Sequence, residues 1–344
     1  MLKIGYIMKN NPYISVIITA YNRKEFLLDA FNSALNQTLS RDKYEIIVTK
    51  NFTDDKIDNY IKKNGGKLVF FEKGSMGEQF ADVLKYAKGE VICFLDDDDL
   101  FIKEKLEYIY NTFLENKNLI YINNARIYID DKGNYLNKSP SKFEKREKDV
   151  IIKDRNKNPV ALLKIQQYVN PWSNNSSISM KKFILTRFEN TLCDVKFAPD
   201  LFFYFISLMS GDILISKHAL TKYKVHESTS NSIGNYESYR ETALKFESKD
   251  TANIILSKTK AKIGKELKKY FDIFSKDQGI TYLFYAGNYR KKVLLDYLQI
   301  FPYIIRAFPK SAILRGLQVA FYIVAPEKFR IFNYERTKRY IKTL

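Results

Sequence analysis

Short apolar, β-branched runs recur through the first hundred residues, each followed by a stretch with helical spacing. That alternation predicts an open α/β sheet whose strands are buried on both faces. Tyr13–Thr19 is the first such strand. Asn22-Arg23-Lys24-Glu25 then reads as a helix start close to a capping box, and Phe26, Leu27, Ala30, Phe31, Ala34 and Leu35 follow at helical spacing. Further strands are predicted over Tyr44–Val48, Lys67–Phe71 and Glu90–Leu95, with helices over Lys56–Lys63 and Glu78–Lys88.

The last of these strands runs into four consecutive aspartates, Asp96 to Asp99. Like charges this close repel and raise one another's pKa values, so the cluster needs a physical reason. A hard divalent cation is one, because a magnesium-type ion is usually held by one or two carboxylates plus substrate phosphates. An acidic cap on a helix starting near Lys103 is the other. The carboxyl ends of strands are also where ligands bind in open α/β sheets.

Three blocks together resemble glycosyltransferase family 2, with its GT-A fold. They are Ser15-Val16-Ile17-Ile18-Thr19-Ala20-Tyr21-Asn22-Arg23, Tyr44-Glu45-Ile46-Ile47-Val48, and Ala87 through Asp99. The resemblance covers residues 12–125 and weakens towards 235. It implies a nucleotide-sugar donor such as a UDP- or GDP-sugar, a divalent metal (manganese or magnesium) and inversion at the anomeric carbon. Carried over residue by residue, it places Thr19, Ala20 and Tyr21 against the nucleotide. Asn51 stands where the family often has a base-reading aspartate. Gly74 and Ser75 lie in the small-residue loop near the donor. Asp96 and Asp97 fall on the sugar-nucleotide side, and Asp98 on the metal and diphosphate.

A hydroxyl acceptor also needs a base. Asp200 opens a strongly apolar segment after Pro199, where the family places its base aspartate, and Asp194 is the fallback. His226, in a Tyr-x-x-His stretch, is a second candidate metal ligand by the same resemblance, or else a structural histidine. Trp172 and Asn174 read as an acceptor-side loop, with a core tryptophan as the alternative. Residues 131–158 are charged and without clear period, as expected of a mobile insertion over the site or a linker.

The expected organisation is a catalytic domain over 1–235, divided near 125 into a donor and metal half and an acceptor half, followed by a helical, basic extension over 236–344. The formal net charge is +18. Residues 281–344 hold 12 Lys/Arg against 3 acids, or +9, interleaved with apolar and aromatic residues. No run there reaches the roughly 20 apolar residues that span a bilayer. Basic amphipathic helices suit a membrane surface, while a helical bundle or a homodimer interface is the alternative. The N-terminal residues lack a secretory apolar region, so a cytoplasmic location on the inner membrane face is expected. Neither cysteine, Cys93 or Cys193, stands in a paired spacing. No nucleic-acid-binding motif accompanies the charge. The combined expectation is transfer of one sugar to a hydroxyl of a glycan or lipid-linked acceptor. A polyprenyl-phosphate sugar synthase and a catalytically inactive GT-A scaffold remain as alternatives.

Overall fold

The computed structural model describes residues 11–136, 146–153, 157–196, 198–225, 236–245, 248–258 and 263–342. Its first half is β1 (Ile14–Ala20), α1 (Leu27–Leu35), β2 (Tyr44–Lys50), α2 (Asp55–Lys63), β3 (Lys67–Phe70), α3 (Met76–Leu84), β4 (Val91–Asp96), β5 (Leu100–Phe101) and α4 (Lys105–Glu115). The second half continues with β6 (Leu119–Ile129), β7 (Val150–Ile152), α5 (Pro159–Tyr168), β8 (Ile178–Lys181), α6 (Lys182–Arg187), α7 (Glu189–Leu192), α8 (Pro199–Leu208) and β9 (Asp212–Lys224). Among the described residues six helices follow: α9 (Tyr236–Lys245), α10 (Ser248–Lys258), α11 (Lys265–Ala286), α12 (Arg290–Ala307), α13 (Pro309–Val324) and α14 (Pro326–Lys342).

The predicted strands form where their apolar runs placed them. β3, β2, β1 and β4 lie side by side and parallel, with β1 between β2 and β4. The winding direction therefore reverses between β1 and β4, the switch point at which open α/β sheets bind ligands. Thr19 and Asp96 are register partners there. Beyond β4 the sheet turns mixed: β8 is antiparallel to β4, β6 antiparallel to β8, and β9 parallel to β6. One apolar cluster, around α1, α2 and α4, covers one face.

One local expectation is corrected and two others gain detail. Asn22 caps no helix; it adopts a left-handed conformation (φ 55°), and α1 starts at Leu27 without a side-chain cap. Part of the expected insertion is ordered: Val150–Ile152 pairs with β9, and the Arg146 guanidinium donates to Asn123 O at 2.8 Å and Ser216 O at 3.1 Å. Residues 137–145 and 154–156 of it lie outside the described residues. Finally, the C-terminal helices share one core with the second half of the sheet. Phe271 and Phe274 of α11 pack on Phe205 of α8 at ring distances of 4.6 and 5.0 Å, within a cluster running from Ile17 to Phe329.

Candidate active site

The aspartate run leaves β4 and is clamped by three segments. Arg23, just past β1, donates to Asp97 at 2.5 Å and forms an ion pair with Asp98 at 2.6 Å. Burial disfavours the charged guanidinium, but the hydrogen bond and charge of Asp97, joined by Asp98, outweigh it and hold the Arg23 pKa above its usual value. Thr19 Oγ1 donates to Asp96 at 3.3 Å. The third segment is Asn174 with the 3-10 turn Asn175–Ser177. Asn174 Nδ2 donates to Asp99 at 2.7 Å, Asn175 Nδ2 to Asp96 at 3.3 Å, and the Asp96 amide to Ser176 Oγ at 2.9 Å.

Desolvation is the leading influence on these carboxyls. It pushes Asp96 well up, reinforced by the charges of Asp99 and Asp98. Asp99 is pushed up to about 6 by burial and by Asp98, against hydrogen bonds that include the Lys224 amide at 3.0 Å. Asp97 is raised by burial and partly restored by Arg23. None of the four caps α4. Its N-cap is Glu104, and β5, which pairs with β9, separates that helix from the run. The helix-cap account of the cluster is thereby set aside.

Asp200 stands in the first turn of α8, after Ala198 in a left-handed conformation (φ 52°) and Pro199 at the helix start. Its carboxylate accepts from the Leu201 amide at 2.8 Å and the Asn174 amide at 3.3 Å. Burial pushes it up to about 6. Asn174 thus touches Asp200 with its backbone and Asp96 and Asp99 with its side chain, holding φ 71° to do so. Asp194, the fallback base, pairs instead with Lys258 of α10 at 2.6 Å.

The other expected residues divide. Ala20 is buried at the end of β1, and Tyr21 is 50% exposed beside it. Asn51 exchanges two 2.7 Å hydrogen bonds with Asn22. Ser75 serves as N-cap of α3 in a capping box with Glu78, so its amide is already engaged, at 2.7 Å, by that carboxylate. Gly74 precedes it. Trp172 is half-buried against Tyr204 (5.5 Å) and Phe274 (5.6 Å), joining α8 to α11 as a packing residue. His226 lies outside the described residues.

Sequence reasoning missed Arg23 as a clamp, although it stands inside the first motif. It also missed Lys105, whose buried ammonium donates to Ser176 O and to Thr221 Oγ1 (3.0 Å) and lies 4.0 Å over the Phe101 ring. Nothing in its local sequence sets that lysine apart.

A divalent ion fits the donor chemistry. Asp98, with a side chain 19% exposed, and half-buried Asp96 present hard oxygens at the strand end, one or two carboxylates being the usual magnesium set. Among the described residues no group of three or more His, Cys, Asp or Glu side chains converges as a metal cage.

The profile of Glycosyl transferase family 2 matches residues 15–168. Those residues form a family 2 glycosyltransferase domain. A poly(ribitol-phosphate) beta-glucosyltransferase of Bacillus spizizenii is 37% identical over 111 residues, 30% of this chain and 18% of that protein. The first curated relatives are matched over only 18–22% of their own length. Among solved structures, S. aureus TarS 1–349 in complex with UDP-GlcNAc superposes with a TM-score of 0.57 at 18% identity, covering 93% of this chain and 89% of that one. The mannosyltransferase PcManGT from Pyrobaculum calidifontis, in complex with GDP-Man and Mn2+, gives 0.53 at 15% identity, covering 96% and 85%. The family 2 domain thus has the GT-A fold, and the likeness extends through the C-terminal helices.

Proposed function

We propose that the protein is an inverting, metal-dependent glycosyltransferase. It moves one sugar from a nucleoside-diphosphate sugar to a hydroxyl of a glycan or lipid-linked acceptor at a cytoplasmic membrane face. The observation that carries this reading is Asn174, which ties the candidate base Asp200 to the aspartates at the sheet's switch point. Donor and acceptor centres are thereby neighbours.

In this scheme the base of the donor nucleotide lies against Thr19, Ala20, Tyr21 and Asn51, and its sugar and diphosphate near Gly74, Asp96 and Asp97. Asp98, with Asp96, would hold the divalent ion, which supplies Lewis-acid stabilisation to the departing diphosphate. Asp200 accepts the proton of the acceptor hydroxyl. The acceptor oxygen bonds to the anomeric carbon as its bond to the phosphate oxygen breaks, and attack from the opposite face inverts the centre. A carboxyl raised to about 6 is a competent base near neutral pH, yet remains ionised there. A phosphate nucleophile would need no such base, so the hydroxyl acceptor is favoured over a polyprenyl phosphate. Trp172 and Asn174 form the acceptor-side wall. The donors of TarS and PcManGT support UDP- or GDP-sugars, and the B. spizizenii relative supports a polymeric acceptor.

The test is calorimetry with UDP, GDP, dTDP and ADP in the presence of manganese, on wild type and Asp98→Ala. Micromolar binding of one diphosphate, lost without metal and in Asp98→Ala, is expected. No binding of any diphosphate would refute the enzyme reading in favour of a scaffold.

A further inference from the structure

The C-terminal helices bury one side in the common core and leave an apolar opposite side uncovered. On α13, Ala312, Val319 and Tyr322 face inward, while Ile313, Leu317, Phe321 and Val324 recur at spacings of four, four and three on the outside. Leu317 is 62% and Val324 79% exposed. The stripe continues onto α14, where Phe332 lies 5.8 Å from Phe321 and Ile331 is exposed beside it. Leu294, Leu295 and Leu298 form a similar exposed group on α12. Of the 22 large apolar side chains exposed among the described residues, ten fall in these three helices, so the concentration is local.

Basic groups border this surface. Arg290, Lys291 and Lys292 open α12, Lys310 stands at the start of α13, and Lys328 and Arg336 are exposed on α14. Residues 281–344 carry 12 Lys/Arg and 3 acids, or +9. A second copy of the chain would bring +9 against +9 over this surface, whereas an anionic leaflet attracts it. Among the described residues no helix is long and apolar enough to cross a membrane. A surface of this kind lies in the headgroup plane.

We propose that the outer faces of α12, α13 and α14 dock the protein onto a membrane rich in anionic lipid. The inference takes its partner class from the proposed function and assigns the residues that contact it. Leu317, Val324 and their neighbours enter the acyl boundary, and the Lys/Arg rim meets lipid phosphates.

The experiment is co-sedimentation of the intact chain with vesicles of phosphatidylglycerol and phosphatidylcholine, and with phosphatidylcholine alone, at 0.1 and 0.5 M salt. Nucleoside-diphosphate binding is measured in parallel. Wild type is expected to bind the anionic vesicles at least tenfold more tightly, and to weaken about tenfold at high salt. Leu317→Asp with Val324→Asp should lose at least tenfold in vesicle affinity with nucleotide binding unchanged. Lys291→Glu with Lys310→Glu, both exposed, should do the same through charge alone. Equal binding to neutral vesicles, no vesicle binding by a folded wild type, or variants that bind like wild type would each overturn the proposal. So would a concentration-dependent dimer that Leu317→Asp dissolves. Vesicle binding without nucleotide binding would instead refute the enzymatic reading and leave this one standing.

Discussion

Replacing Asp200 with Asn separates function from stability. Burial raises this carboxyl from 3.8 to about 6, so ionising it in the folded protein at pH 7 costs about 3 kcal/mol, at 1.36 kcal/mol per unit. Asn removes that charge, keeps one acceptor for the Leu201 or Asn174 amide, and gives up one hydrogen bond of about 1 kcal/mol. The residue also keeps some solvent contact, which leaves a net gain of about 1–2 kcal/mol, or about 2–4 °C in Tm. A carboxyl with a raised folded pKa stabilises fully below its unfolded value and loses that contribution as pH rises through the folded one. The advantage of Asp200→Asn should therefore be absent near pH 3.8, grow between about 4 and 6, and stay constant above. Thermal melts from pH 4 to 8 read this directly. In the same variant transfer should fall about 100- to 10,000-fold with donor binding intact, as for loss of a general base. A variant less stable than wild type at pH 7, or a gap flat with pH, would refute the electrostatic argument. Unchanged turnover would remove Asp200 from the chemistry.

Gly77→Ala should cost about 3 kcal/mol in urea denaturation, because its Cβ would stand 1.9 Å from Leu192 O and 2.6 Å from Val195 O, both backbone atoms. Lys105, lowered by burial to about 7, releases its proton in the folded chain while the unfolded chain keeps it up to about 10.5. Wild type should therefore gain a few kcal/mol on Lys105→Met between pH 7 and 10, and chemical denaturation showing no such gain would contradict it. Arg23→Met should lower Tm by leaving the buried Asp97 carboxylate without its cationic partner, with about 1–3 kcal/mol lost. Asp98→Asn, at the more exposed partner, should leave Tm nearly unchanged and abolish metal-dependent diphosphate binding.

What the sequence disclosed follows from the range of the interactions. β1, β2 and β4 end within two residues of where their apolar runs stop, since full burial on both faces is written into each run. α1 began late because Asn22 went to a long-range bond with Asn51 in place of a cap. The three-residue β7 is too short to show a period, and its partner β9 lies some sixty residues on. Asp200 was found through a motif. Its link to the aspartates runs through Asn174, and that residue's contacts reach 75 and 78 positions back. The packing of Trp172 on Phe274 was not legible, because Phe274 lies in a helix whose docking no local pattern announces.

The four aspartates are not equivalent, and the folded protein shows why the run is kept whole. Asp97 and Asp99 are 4% and 1% exposed and each is spoken for, by Arg23 and by Asn174 with the Lys224 amide. They fix the course of the chain from β4 into β5. Asp96, the last residue of β4, and Asp98, in the turn that follows it, are the two part-exposed members of the run at the switch point. Arg23 supplies one positive charge to a set of four carboxyls. Their ionisation together therefore calls for more positive charge than the chain provides at the clamp, and under the proposed function a divalent ion bound with the diphosphate would supply it. Burial is the leading cause of the raised pKa values of Asp96 and Asp99, and the neighbouring carboxyls add to it.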